Sequence, residues 1–146
     1  MKVAILYGDG FEDVEALATR DVLVRAGINV FDLRIDNVIN PLYVEASHKI
    51  HLTDFLDIKD FKGSDFDAII LPGGGLGVRN LLQSKEVDRF VLEAYKSDKL
   101  VCHYAGRRVL AERLGAYSRH DGKTICLPSW HFALSAYLQN RPYSHP

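Results

Sequence analysis

"KVAILYGDGFEDVEALATRDVLVRAGINVFDLRI", residues 2–35, decides the fold. Its opening, "KVAILY" (2–7), is a short apolar run of strand formers stopped by Gly8, Asp9 and Gly10. Such a run suits a strand buried on both faces of a parallel sheet. From Asp13 to Ala26 the apolar residues Val14, Leu17, Ala18 and Val22 recur at helical spacing, and Gly27 stands where a helix-stopping glycine belongs. "INVFDLRI" (28–35) then resumes as a strand, so the stretch predicts a βαβ unit.

The rest of the chain continues the alternation. "LYVEA" (42–46) and "KIHLT" (49–53) predict two short strands in a hairpin beside the main sheet. "FDAIILPGGG" (66–75) is a strand halted by Pro72 and three glycines, and Leu81 to Tyr95 has the apolar spacing of one long amphipathic helix. "LVC" (100–102) is a further strand, "RRVLAERLG" (107–115) a helix, "KTIC" (123–126) a strand, and 130–139 a last helix. Alternation of this kind predicts an α/β architecture, a doubly wound, mostly parallel sheet sandwiched by helices.

At 146 residues the chain reads as a single domain, 1–146, long enough to bury a core without disulfides or metals. A formal net charge of −1 argues against a nucleic-acid or anionic-membrane surface. Two cysteines without motif spacing, Cys102 and Cys126, fit a reducing compartment. The amino terminus lacks signal-peptide character and no segment reaches membrane-spanning length, so a cytoplasmic location is expected. The six histidines are scattered. His48 and His51 fall on opposite sides of the hairpin pattern, which predicts surface histidines and no metal site.

In a doubly wound sheet, ligands bind beyond the carboxyl ends of the strands. Three stretches converge there: "GDGFEDVE" (8–15), "PGGGLG" (72–77) and "CHYAG" (102–106). The first opens like a dinucleotide fingerprint, but the third glycine position is Asp13, and Asp9 and Glu12 place negative charge where a pyrophosphate would lie. No cofactor is therefore expected. The glycine loop offers unobstructed amides to a developing oxyanion, and serves equally as a tight turn into a helix. Cys102 is either a nucleophile activated beside His103 and a helix start, or an inert core thiol.

Taken together, "GFEDVEALATRDVLVRAG" (10–27), "DAIILPGGGLGVRNLLQSKEVDRFV" (67–91), "KLVC" (99–102) and "RVLAERLG" (108–115) resemble the ThiJ/PfpI superfamily, with its class I glutamine amidotransferase-like fold. The resemblance runs from residue 1 to about 128, and the tail beyond it diverges. It implies a flavodoxin-like sheet, a homodimer, and a nucleophilic cysteine on an elbow. That cysteine is contacted by a glutamate from the first helix and faces an oxyanion hole in the Pro-Gly-Gly loop. Carried over by position, the glutamate falls on Glu15, with Glu12 as second choice, and the oxyanion amides on Gly74 and Gly73.

The elbow admits two registers. Aligning on Ala105 and Gly106 puts Tyr104 in the nucleophile's place and Arg107 where the family has proline; aligning on Cys102 and His103 keeps a Cys-His elbow and shortens the strand. The histidine that many relatives carry before a proline is here Leu127, before Pro128. The resemblance implies a stress- or redox-responsive protein whose Cys102 attacks a small carbonyl or acyl substrate, as a hydrolase, glyoxalase or deglycase. Gly74 would hold the oxyanion, and His103 or Glu15 would move the proton. The alternative is a non-catalytic member acting as a dimeric binding or chaperone-like protein.

Overall fold

A computed structural model of the chain describes residues 1–104 and the strand at 124–127. The helices expected over 107–115 and 130–139, and the side chain of Cys126, lie outside the described residues. The chain runs β1 (Lys2–Tyr7), α1 (Asp13–Arg25), β2 (Asn29–Arg34), β3 (Val44–Glu45), β4 (His51–Leu52) and β5 (Leu56–Asp57). It continues through β6 (Ala68–Leu71), α2 (Gly75–Gln83), α3 (Lys85–Lys96), β7 (Leu100–Tyr104) and β8 (Thr124–Leu127).

Six strands form one sheet in the order β5-β2-β1-β6-β7-β8, and every pairing in it is parallel. This is the doubly wound, flavodoxin-like arrangement expected from the alternation. β3 and β4 pair antiparallel as a separate hairpin, with Val44 opposite Leu52. Short 3-10 turns at Ile58–Asp60 and Gly63–Asp65 link β5 to β6.

Why β1 is uniformly apolar follows from its place. On one face Ala4 and Leu6 join Leu33, Phe66, Ile69, Leu81, Val87, Phe90 and Val91, a core roofed by α2 and α3. On the other, Val3, Ile5 and Tyr7 join Phe11, Ala16, Val44 and Ile70 under α1 and the hairpin. A central strand covered on both sides has no polar face to show, so its period-2 pattern disappears.

Three local expectations change. The single helix expected from Leu81 to Tyr95 is two helices, because Ser84 sits in extended backbone between them. Its hydroxyl caps α3 by accepting from the Val87 amide at 3.0 Å, and it also bonds the Asp36 carboxylate. The strand at "LVC" runs two residues further, to Tyr104. Finally, the inward face of α1 carries Asp13 and Ala16, while Val14 remains 41% exposed. Asp13 and Glu15 both make polar contacts from this helix start, described below. Among the described residues no helix is long and apolar enough to cross a membrane.

Candidate functional site

β1 is flanked by β2 on one side and β6 on the other, so the chain leaves the carboxyl ends of β1 and β6 toward opposite faces of the sheet. That divergence is the crevice where doubly wound sheets bind ligands. Here the loops that border it are tied to each other by backbone. The Glu12 amide donates to the Gly73 carbonyl at 3.0 Å, and the Gly77 amide donates to the Gly10 carbonyl at 3.0 Å.

The tightness of that contact explains Gly74, the residue before α2. Its φ is +95°, and a Cβ there would lie 2.2 Å from the Gly10 carbonyl oxygen and 2.8 Å from the Glu12 nitrogen. Only glycine adopts that backbone without strain and also leaves room for the facing strand end.

Two acids at the start of α1 complete the loop cluster. Glu12 is the N-cap, its Oε2 accepting from the Glu15 amide at 2.7 Å. Glu15 reaches across the crevice, its Oε2 accepting from the Gly73 amide at 2.7 Å. The structure therefore brings Glu12, Glu15, Gly73 and Gly74 together. In this arrangement the Gly73 amide is engaged by the Glu15 carboxylate.

Tyr104, the last residue of β7, comes to the same place. It is buried, and its hydroxyl shares a hydrogen bond with Thr19 Oγ1 on α1. Burial raises its pKa, the Thr19 bond works against that, and the charges of Glu15, Cys102 and Glu12 push it up again. Thr19 is a site residue the sequence reading did not single out. It lies one helical turn beyond Glu15, the i, i+4 spacing that puts two side chains on one face.

Cys102 and His103 sit differently. Cys102 is the middle residue of β7, registered between Ile70 of β6 and Ile125 of β8. It is 7% exposed, and burial pushes its thiol up to about 11. It belongs to the apolar α1-side core, which also holds Val3, Ile5 and Ile70. His103 is buried on the opposite face, as strand alternation requires, with Nδ1 3.3 Å from the Tyr104 carbonyl oxygen. The backbone at Cys102–His103 is strand rather than elbow, and the strand ends at Tyr104, whose phenol feels the charge of Glu15.

The hairpin histidines also part company. His51 stacks on Tyr43 with ring centroids 3.9 Å apart and reaches Glu45 at 3.1 Å. His48, in the turn between β3 and β4, hydrogen-bonds Asp13 through Nδ1. With Glu12 these two residues place three ligand-capable atoms within 4.8 Å of one another.

Comparison with known proteins agrees with this architecture. The sequence model of the DJ-1/PfpI family matches residues 1–118. Protein DJ-1 homolog B of Arabidopsis thaliana is 31% identical over 136 residues, covering 92% of this chain and 30% of its own length. Homolog A of the same plant is 31% identical over 121 residues, covering 83% and 30%. The chain thus spans less than a third of either plant relative. Schizosaccharomyces pombe DJ-1 superposes with a TM-score of 0.77 at 20% identity, over 97% of this chain and 93% of that one. Drosophila melanogaster DJ-1beta does so with a TM-score of 0.77 at 20% identity, over 94% and 89%. At that identity the likeness establishes the fold.

Proposed function

The chain belongs to the DJ-1/PfpI family, and on that premise we propose that it is a stress-related, cytoplasmic member that acts as a dimeric binding protein rather than through thiol chemistry. One observation carries this reading: Cys102 lies inside β7 between two neighbouring strands, with its thiol pushed up to about 11 by burial. A nucleophilic cysteine needs the opposite, a lowered pKa and a path for substrate. Tyr104, which feels the charge of Glu15, has its phenol held by Thr19 and its pKa raised, so it supplies no anion near neutral pH.

A second reading rests on Glu15, Gly73 and Gly74. These keep the acid and the glycine loop that a cysteine-dependent hydrolase, glyoxalase or deglycase would use on a small carbonyl or acyl substrate. The test between them is the pH dependence of iodoacetamide labelling at Cys102, followed by peptide mass, together with methylglyoxal turnover. Labelling that stays slow until pH rises well above 9, with no turnover that Cys102→Ser abolishes, supports the binding role. Rapid labelling near neutral pH with Cys102-dependent turnover establishes the enzyme instead.

A further inference from the structure

Asp13 is the anomaly of the helix start. An acid in the first turn of a helix ordinarily faces water, where the macrodipole already favours it. The Asp13 side chain is instead only 7% exposed. Its Oδ2 accepts from Ser47 Oγ at 3.1 Å and bonds His48 Nδ1, while its Oδ1 is buried without a hydrogen-bond partner. A buried carboxylate oxygen left unpaired is destabilising, and this protein carries one beside an imidazole and a second carboxylate.

We propose that Glu12, Asp13 and His48 form a binding site for a divalent first-row transition cation of the zinc class. Their ligand-capable atoms lie within 4.8 Å of one another, drawn from the helix N-cap, the first helical residue and the β3–β4 turn. Glu12 spends one oxygen on the Glu15 amide, and its carboxylate has a second to offer. One imidazole nitrogen with two carboxylate oxygens is a donor set that transition cations accept with open positions left for water or a ligand. Magnesium, which prefers oxygen and keeps its water, is a poor match.

The surroundings hold these donors in place. The Ser47 amide donates to the Phe11 carbonyl at 2.8 Å, and Phe11 and Ala46 form a parallel bridge, which together pin the hairpin turn to the start of α1. The Ser47 hydroxyl donates to Asp13 and so orients its carboxylate, the supporting role that outer partners play around metal ligands. His48 is 73% exposed along its side chain, which gives a cation access from solvent. The site shares Glu12 with the crevice loops but takes no ligand from Cys102 or Tyr104, and its existence does not depend on whether the protein is a catalyst.

The test is calorimetric titration of the intact chain with zinc chloride, repeated on His48→Ala, Asp13→Asn and His51→Ala. The expected result is a saturable equivalent that weakens by about tenfold or more in the His48 and Asp13 variants. His51→Ala, in the same hairpin but outside the cluster, leaves it unchanged, and a large excess of magnesium does not compete. His48 lies on an exposed turn, so circular dichroism should show that variant folded even if Asp13→Asn is not. Equal zinc affinity in the parent and His48→Ala, or no saturable binding at all, overturns the proposal. So does loss of the equivalent in His51→Ala alone.

Discussion

The Gly73 amide donates to Oε2 of Glu15 at 2.7 Å, joining the first helix to the loop after β6 across 58 residues of sequence. The bond is charge-assisted and partly shielded, so it belongs to the stronger class of protein hydrogen bonds. Glu15→Gln keeps an acceptor oxygen but loses the charge, and is expected to lower unfolding free energy by about 1 kcal/mol. Glu15→Ala should lose about 2 kcal/mol. Urea unfolding of the two variants measures the difference; equal losses would mean that the carboxylate oxygen is not what holds the loop.

Gly74 and Gly27 provide a matched pair. Both have positive φ, +95° and +73°, but a Cβ on Gly27 would meet nothing within 4 Å, whereas on Gly74 it would strike the Gly10 carbonyl at 2.2 Å. Gly27→Ala should therefore cost only the left-handed backbone term, about 1–2 kcal/mol. Gly74→Ala adds a backbone collision and should cost roughly 3 kcal/mol or more. Thermal melts of the two variants side by side separate conformational strain from close approach.

The Cys102 thiol predicts an alkaline loss of stability with a definite sign. Its folded pKa is raised to about 11 from an ordinary value near 9. The unfolded chain therefore releases this proton first, and stability falls as pH rises through that window. Below about 9 the thiol is neutral in both states and contributes no slope. The full effect is on the order of 3 kcal/mol. Tyr7, raised by burial and by Asp32, adds its own alkaline loss, so the readout is the difference in slope between the parent and Cys102→Ala. Identical slopes would contradict the burial of the thiol.

Ser84 should behave as a buried cap. It is 1% exposed, accepts from the Val87 amide at 3.0 Å, and bonds Asp36. Ser84→Ala leaves the amide and the carboxylate without that partner and is expected to cost about 1–2 kcal/mol. Helical signal should fall with it if the break between α2 and α3 depends on this hydroxyl. A change below about 0.5 kcal/mol would place the break elsewhere.

Much of the architecture was legible from local pattern. The apolar run at 2–7, the helical spacing from Asp13, Gly27 at its end and the glycines after Leu71 each report on residues next to one another. Their observed elements follow closely. The break at Ser84 was harder to see, because apolar spacing runs through it and its cap bonds depend on Asp36, 48 residues away. Of the site, the meeting of the loops after β1 and β6 was readable from the alternation, whereas the bond from the Gly73 amide to Glu15 was not. Whether Cys102 or Tyr104 stands at the end of β7 was not, since residues two apart share one face of a strand, and only the length of the strand separates them.

The sequence by itself determined the alternation of strands and helices, because burial on one or both faces leaves a period that neighbouring residues carry. Only the tertiary structure decided which side chains meet. It buried Cys102 against Ile70, brought Tyr104 to Thr19 across 85 residues, and set His48 on Asp13 across 35. Those contacts depend on strand register and on where two loops cross, and a linear pattern encodes neither.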